Sequence, residues 1–490
     1  MTLYTEGQMY TEGQMYTEGQ MYTEGQMYTE GQMYTNCLFI FRRDYRITDN
    51  VGLNLANSKA KHIYPVFIFT PEQVTSANKF KSDNAVQFMI ESLEDLNAQI
   101  RKMSGGKLLT FYGHNLAVVG DLIDELDINL VCYNVDYSPY AIERDIDLLH
   151  LCNKRGIHFD FGHDYYLHPP GTITNGTGNT YQKFTPFYET SSKKKVDAPA
   201  SLRKIHFAST NKSLPHSITL AVALQKFCKV NPDILIHGGR DNAIKQMRIA
   251  AKNCKSYEKT HNDVELPTSE LSAYIKFGCV SIREVYKAFS KKHSFIRQLF
   301  WRDFYANILF AFPDVLGSAL KPSYNKIKWH HNTSWFNAWT NGMTGFPIVD
   351  AGMRQLNTTG YMHNRARLIT ASFLVKTLLI SWEKGEQYFA QNLTDYDPAS
   401  NNGNWQWVAG SGADSQPYFR IFNPWLQLKE YDPECEYVKQ WIPELEDVPN
   451  KDIFNWDTEW QQYKATKYPK PICSYEEQKE AIMRMYKAAF

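Results

Sequence analysis

The sequence predicts two unlike halves, a parallel α/β domain at the N-terminus and a mostly helical domain after it. Three observations predict this. The apolar runs CLFIF (37–41), HIYPVFIF (62–69), KLLTFY (107–112) and INLVCYN (128–134) alternate with amphipathic stretches, as in a sheet buried on both faces and joined by helical crossovers. From about residue 236 apolar residues recur at steps of three and four, and strand-like alternation becomes scarce. Finally, 490 residues are too many for one compact core.

In chain order, residues 4–33 are five copies of YTEGQM. A short polar repeat with a glycine in every copy buries too little to fold, so residues 1–35 are read as a low-complexity tail without function. The α/β domain is assigned to 36–165. Its first run ends in FRRD, as expected for a buried parallel strand delivering polar residues to a functional edge. Between strands, AVQFMIESLEDLNAQIRKM (85–103) has the apolar spacing of a helix. No G-x-G-x-x-G follows the first strand, so this is not a standard dinucleotide-binding domain, and an NAD-linked oxidoreductase is disfavoured.

Residues 166–235, with PPGTITNGTGNTYQ and SSKKKVDAPAS, read as an interdomain connection over the surface. The run Lys193–Lys195 reads as solvated. The helical domain is assigned to 236–490, where ELSAYIKFG, SIREVYKAF, FIRQLFWRDFYANILFAF and RLITASFLVKTLLISW all carry helical spacing. In the last, Leu368, Ala371, Val375 and Leu379 fall on one face.

Composition narrows the function. The chain is 43% apolar and 21% charged, as soluble globular proteins are. Lys+Arg 53 against Asp+Glu 52 leaves a net charge of +1, so any basic surface for nucleic acid must be local. Eight scattered Cys form no C-x-x-C pair, which excludes a zinc finger and suits buried thiols in a reducing compartment. No stretch is apolar enough to span a membrane and the N-terminus is no secretory signal; a cytoplasmic or nuclear location is expected.

All 11 Trp lie at or beyond residue 301. Trp335, Trp339, Trp425 and Trp441 read as core. Trp405 and Trp407 follow Asn401, Asn402, Gly403 and Asn404, a poor core sequence that reads as a loop. With Trp301 they could form a wall for base stacking, flanked by Arg365 and Arg420 for phosphates. Arg367, Asp395 and Asp397 should pair with one another, either as a structural ion pair or with a carboxylate free to accept an N–H from a flat ligand. PTSELS (267–272) reads as a helix start whose Thr268 and Ser269 could hold phosphate or only cap their own helix.

FRRDYRITDN, TGFPIVDAGMRQLNTTGYMHNRARLITASFLVK, SWEKGEQYF and NNGNWQWVAGSGADSQPYFRIFNP are long and nearly continuous matches to one family. Over about residues 37–445 the chain resembles the photolyase/cryptochrome flavoproteins, and most closely the class I cyclobutane pyrimidine dimer photolyases. The resemblance implies an α/β domain, a long linker and a helical domain holding FAD. It places Tyr257, Thr268, Ser269, Leu271 and Ser272 on the FAD phosphates and ribityl chain. Arg302, Asn364, Arg367, Asp395, Asp397 and Asn401 would surround the rest. Trp405, Trp382 and Trp329 match an electron path for photoreducing the flavin. Gln298, Trp301, Asn364, Arg365, Trp407 and Arg420 match substrate positions for a flipped dimer in damaged DNA, handled by a monomer.

Three positions discriminate within that family. Asn364 and Leu368 stand where (6-4) photolyases carry His. Asn401 stands where animal-type cryptochromes carry Cys and plant-type ones Asp. Gln298 points the other way: it replaces the Glu of dimer photolyases and is the (6-4)-like choice, able to hydrogen-bond a thymine edge but supplying no charge, which implies dimer repair at reduced efficiency. The phosphate-contacting Arg expected after Tyr257 is missing, with Lys259 and His261 near its place. Ser138 replaces a Glu of folate-binding relatives, leaving a second antenna chromophore open between folate, deazaflavin, another flavin and none. The alternatives within the resemblance are a blue-light photoreceptor of the same fold that binds FAD without repair and, behind it, a (6-4) photolyase.

Overall fold

The computed structural model describes residues 33–253 and 257–489; the YTEGQM repeats before Met33, and Cys254, lie outside the described residues. The N-terminal half is a five-stranded sheet, β1 (Tyr34–Phe41), β2 (Ala60–Phe69), β3 (Leu109–Tyr112), β4 (Leu130–Asn134) and β5 (His158–Gly162), in the order β3-β2-β1-β4-β5. Every neighbouring pair is parallel. The four apolar runs are four of these strands. β5, HFDFG, was not expected: an edge strand only partly covered needs no continuous apolar run, so its sequence reads as loop.

Helix Asp83–Ser104 covers one face. Ser82 caps it by accepting from Ala85 N, Gly105 ends it at φ 74°, and Phe88, Ile90, Leu93, Leu96 and Ile100 are buried. The connection that follows the sheet is less irregular than its composition suggests. It contains helices Phe184–Ser191 and Leu220–Phe227, and bridges Ile63–Phe207 and Phe111–Ser217 tie it to β2 and β3. Lys193–Lys195 are exposed, as solvated lysines should be.

The halves are joined through buried charge. Arg283 holds Asp49 at 3.0 Å and Asp164 at 2.7 Å, and Arg46 holds the same Asp164. Such groups tolerate burial because each charge is paired and hydrogen-bonded. Helix His293–Ala311 is the spine of the helical half, with Phe295, Leu299, Phe300, Phe304 and Leu309 all buried. Among the Trp read as core, Trp339 is fully buried, whereas Trp335, Trp425 and Trp441 only pack against the core edge.

The run RLITASFLVKTLLISW is not one helix. Helix Asn364–Ser372 passes into a π turn over Phe373–Thr377, closed by Leu378 N donating to Phe373 O, and Leu379 adopts φ 57°. Ser381 then caps helix Trp382–Asn392. The apolar spacing survived because both pieces bury residues on one side; the hydrogen-bond slip inside it leaves no trace in periodicity. Among the described residues no disulfide forms, Cys37, Cys132, Cys152, Cys279 and Cys435 being buried thiols, and no helix is long and apolar enough to cross a membrane.

Candidate active site

The segment NNGNWQW is helical, inside Pro398–Ala409. Its composition argues for a loop, but its ends are well specified. Asp397 caps it by accepting from Ser400 N at 3.0 Å, Pro398 occupies the first turn, and Gly410 stops it at φ 89°. These are strong start and stop signals. Inside, Asn402 is buried and donates to Glu386 Oε1 at 2.9 Å and Val315 O at 2.8 Å, so its amide is fully used. Gly403 permits a close crossing: a Cβ there would lie 2.1 Å from the Tyr305 ring. The residues that look like a loop are those that let this helix press onto His293–Ala311.

That crossing leaves a cavity of about 430 Å³, within the range that holds a small-molecule or cofactor ligand. Of the predicted cofactor residues, Tyr257, Ser269, Leu271, Ser272, Arg302, Asn364, Arg367, Asp395 and Asp397 line it. Gln298, Trp301 and Trp407, predicted on the substrate side, line it too. Asn401 and Trp405 line an adjoining space of about 100 Å³ that shares Asn364, Arg367, Asp395 and Asp397. Thr268, Arg365, Arg420, Trp329 and Trp382 do not line either space.

The expected helix start at PTSELS is displaced. The helix begins only at Ser272 and spans five residues, and Glu270 before it adopts φ 52°. Thr268 bonds the Tyr361 hydroxyl at 2.6 Å, while Ser272 Oγ donates to Asp395 Oδ2 at 2.6 Å. Ser269 and Ser272, rather than a helix terminus reaching back to Thr268, line the cavity here.

The three-way ion pair is also redistributed. Arg367 forks onto Asp395, at 3.1 and 2.9 Å. Asp397 instead takes Arg43 Nη2 at 2.7 Å, an arginine from the FRRD segment at the end of β1. Burial pushes the Asp397 carboxyl up, but Arg43, Arg302 and the Ser400 N–H outweigh it and bring it down to about 2. Both aspartates are therefore engaged by different cations from different halves of the chain.

Arg302 Nη2 is buried without a hydrogen-bond partner. With the Ser269 and Ser272 hydroxyls and the two carboxylates, it gives the cavity donors and acceptors that suit a large polar cofactor such as FAD. His363 is a residue the sequence reading missed. Its Nδ1 accepts from Arg365 N at 3.0 Å and its Nε2 is buried without a partner. Burial, then Arg367 and Arg365, push it down to about 4, so it is neutral. Glu386, beside Asn402, is pushed up to about 7, chiefly by burial.

The aromatic residues sort by burial. Trp405 and Trp382 are buried, and Trp405 packs edge-on against Phe389 with centroids 4.9 Å apart. Trp329 is partly buried and meets Tyr486 at 6.2 Å. Trp301 stacks on Phe184 at 3.7 Å and 6°, so one face is already covered by a residue of the connecting segment. Trp407 is half-buried at the cavity wall. Arg365 is held by Asn262 at 2.7 Å over the Tyr431 ring, and Arg420 is exposed, bonded to Gln416 at 3.0 Å.

A second cavity, about 240 Å³, opens beyond the carboxyl ends of β1 and β2 and is bordered by Asp136 and Ser138 past β4. β1 is where the strand order reverses, the position at which doubly wound sheets bind ligands. Three donors on residues that line it, Arg42 Nη2, Arg144 Nη2 and Asn115 Nδ2, are buried without partners. Lys276 lines both this cavity and the helical one; burial and then Arg43 push its ammonium down to about 7. FRRD was the legible signal for this edge; Asn115, Arg144 and Lys276 sit in unremarkable helix sequence and carried none.

Comparison with known proteins agrees with this geometry. Residues 37–203 match the family model described as DNA photolyase, and residues 295–488 match the FAD binding domain of DNA photolyase. The chain is 33% identical to a deoxyribodipyrimidine photo-lyase of Halobacterium salinarum, over 92% of this chain and 99% of the relative. Among solved structures, an archaeal photolyase from Sulfolobus tokodaii, described with two FAD molecules, superposes with TM-score 0.84 at 38% identity, covering 93% of this chain and 100% of that one. A class III photolyase from Agrobacterium tumefaciens superposes with TM-score 0.86 at 32% identity, covering 96% and 99%.

Proposed function

Because the chain belongs to the DNA photolyase family, we propose that it splits cyclobutane pyrimidine dimers in DNA with light, using FAD in the helical cavity. The observation that carries this reading is one cavity walled by Arg367, Asp395 and Asp397 and also by Trp301, Trp407 and Gln298. A flat polar cofactor and a pair of fused bases would meet there. Bound there in its reduced form and excited by light, FAD would supply one electron to open the cyclobutane ring and take it back afterwards, with no net oxidant or reductant.

The chain's own residues do the rest. Asp397, ionised under Arg43, and Asp395, held by Arg367, present fixed acceptors to ring N–H groups. Arg302 offers a free donor and Ser269 a hydroxyl to the phosphate and ribityl side, where Ser272, its proton given to Asp395, is left to accept. Asn401 is fixed by donating to Glu386 O at 3.0 Å, which leaves its carbonyl side free for the ligand. Trp407 stacks on an extruded dimer, and extrusion is cheap because the lesion pairs and stacks poorly. Gln298, exposed and weakly tied to Ser294 O at 3.3 Å, turns to the thymine edge. Arg365 and Arg420 hold flanking phosphates outside the cavity. Trp405, Trp382 and Trp329, of rising exposure, would relay an electron from the surface to oxidised flavin.

The second cavity takes a second chromophore. Its three free donors favour an acceptor-rich planar molecule, and the two FAD molecules named for the Sulfolobus tokodaii photolyase support a flavin there over an empty site. Illumination of the reduced protein with dimer-containing single-stranded DNA tests the main reading. Dimers should disappear with light dose; a spectral change with no dimer loss would instead identify a photoreceptor.

A further inference from the structure

One guanidinium stands between the two cavities. Arg43 Nη1 donates to both oxygens of Asp136, each at 3.1 Å, and Asp136 lines the sheet cavity. Arg43 Nη2 donates to Asp397 Oδ2 at 2.7 Å, and Asp397 lines the helical cavity. Its Nε donates to Lys276 O at 3.2 Å, so every nitrogen of the fork is committed. A planar fork holds two carboxylates in fixed directions in this way, which the rotating ammonium of lysine on its flexible stem does not. Asp136 and Asp397 are both shielded, with side chains 15% and 8% exposed, so solvent screens the three-member chain weakly.

We infer that Arg43 is a positioning residue that couples the two cavities, so that charge or a ligand on the Asp136 side changes how tightly the helical cavity holds reduced relative to oxidised FAD. The inference rests on reading the helical cavity as the FAD site. A chromophore that draws on Asp136 or Arg43 shifts the guanidinium along its two-carboxylate axis, and Asp397 feels the change directly. Linkage then requires the reverse, that FAD binding alters the affinity of the sheet cavity for its own ligand. The physical warrant is a single group whose position both sites bias.

The test is a double-mutant cycle on the FAD-loaded protein. Asp136→Asn removes a negative charge from the sheet cavity without touching the helical one. It frees Arg43 to lean on Asp397 and should favour the more negative, reduced flavin. The reduced-to-oxidised affinity ratio, read as the midpoint potential by spectroelectrochemistry, should rise about fivefold or more, the lower end of typical coupling. In the Arg43→Gln background the same Asp136→Asn change should have less than a third of that effect. An equal effect in both backgrounds would mean plain through-space attraction and overturn the coupling alone. Failure of the unmodified protein to bind FAD at all would overturn the cofactor reading as well. Should Arg43→Gln fail to fold, Arg43→Lys keeps the charge without the fork and should lose the coupling equally.

Discussion

Trp407→Ala isolates the recognition step from the cofactor. Trp407 sits on helix Pro398–Ala409 and is half-buried. Alanine is the best helix former, so the backbone loses nothing, and truncating a half-buried ring costs less than the ~3–5 kcal/mol of a fully buried one. The ring's exposed part lines the cavity, where stacking on a base contributes about 1–3 kcal/mol, or roughly a 5- to 150-fold loss of affinity. Trp301 has at most one face left to offer, because Phe184 covers the other at 3.7 Å. The assay is the dissociation constant for one oligonucleotide with and without a dimer, alongside FAD content from absorbance. The dimer-containing strand should weaken by that factor, the undamaged strand should change little, and FAD content should stay the same. An equal loss on both strands, or none, would refute the stacking role.

Three further outcomes are expected. Trp382→Phe should abolish photoreduction of oxidised flavin, followed by absorbance under illumination, while protein reduced chemically beforehand still removes dimers. Gly385→Ala would place a Cβ 2.1 Å from the Trp405 ring and 2.7 Å from Leu374; this overpacking should cost about 1–3 kcal/mol, visible as a lower Tm, and slow photoreduction by displacing Trp405. For Glu386, a folded carboxyl raised from 4.5 to about 7 means that the native state binds the proton more tightly than the unfolded chain. Stability from this group is present below about pH 4.5 and is lost as pH rises towards 7. Glu386→Gln should remove that dependence and gain on the native protein across this window, by at most about 3 kcal/mol, as read by denaturant unfolding at several pH values.

The alternating halves were legible because buried parallel strands and amphipathic helices each leave a period in the sequence. Four of five strands followed from apolar runs, whereas β5, short and half-covered, leaves none. The site was legible by residue type more than by local structure. NNGNWQW reads as a loop by propensity alone; Asp397, Pro398 and Gly410 together outweigh a run of poor helix formers. PTSELS reads as a helix start because Pro-Thr-Ser resembles a cap, yet its Thr268 hydroxyl is spent on Tyr361. Pairing was least legible. Arg43 and Asp397 lie 354 residues apart, and nothing local in either segment announces the other.

That long-range pairing explains how a protein with a net charge of +1 builds two sites for polar ligands. Arg367 is matched to Asp395, and Arg43 is shared between Asp397 and Asp136, so the strongest charges are neutralised in place and hold the walls rigid. What remains without a partner is a small set of buried donors: one arm of Arg302 at the helical cavity, and one arm each of Arg42 and Arg144 with the Asn115 amide at the sheet cavity. A buried donor without a partner destabilises a fold by about 1–3 kcal/mol, a cost that water or a ligand acceptor entering the sheet cavity would offset. The same reasoning ranks the two cavities. The helical one already has carboxylates and hydroxyls that satisfy each other, through Ser272 on Asp395, whereas the sheet cavity has donors left waiting, so its ligand should add more to thermal stability per hydrogen bond formed.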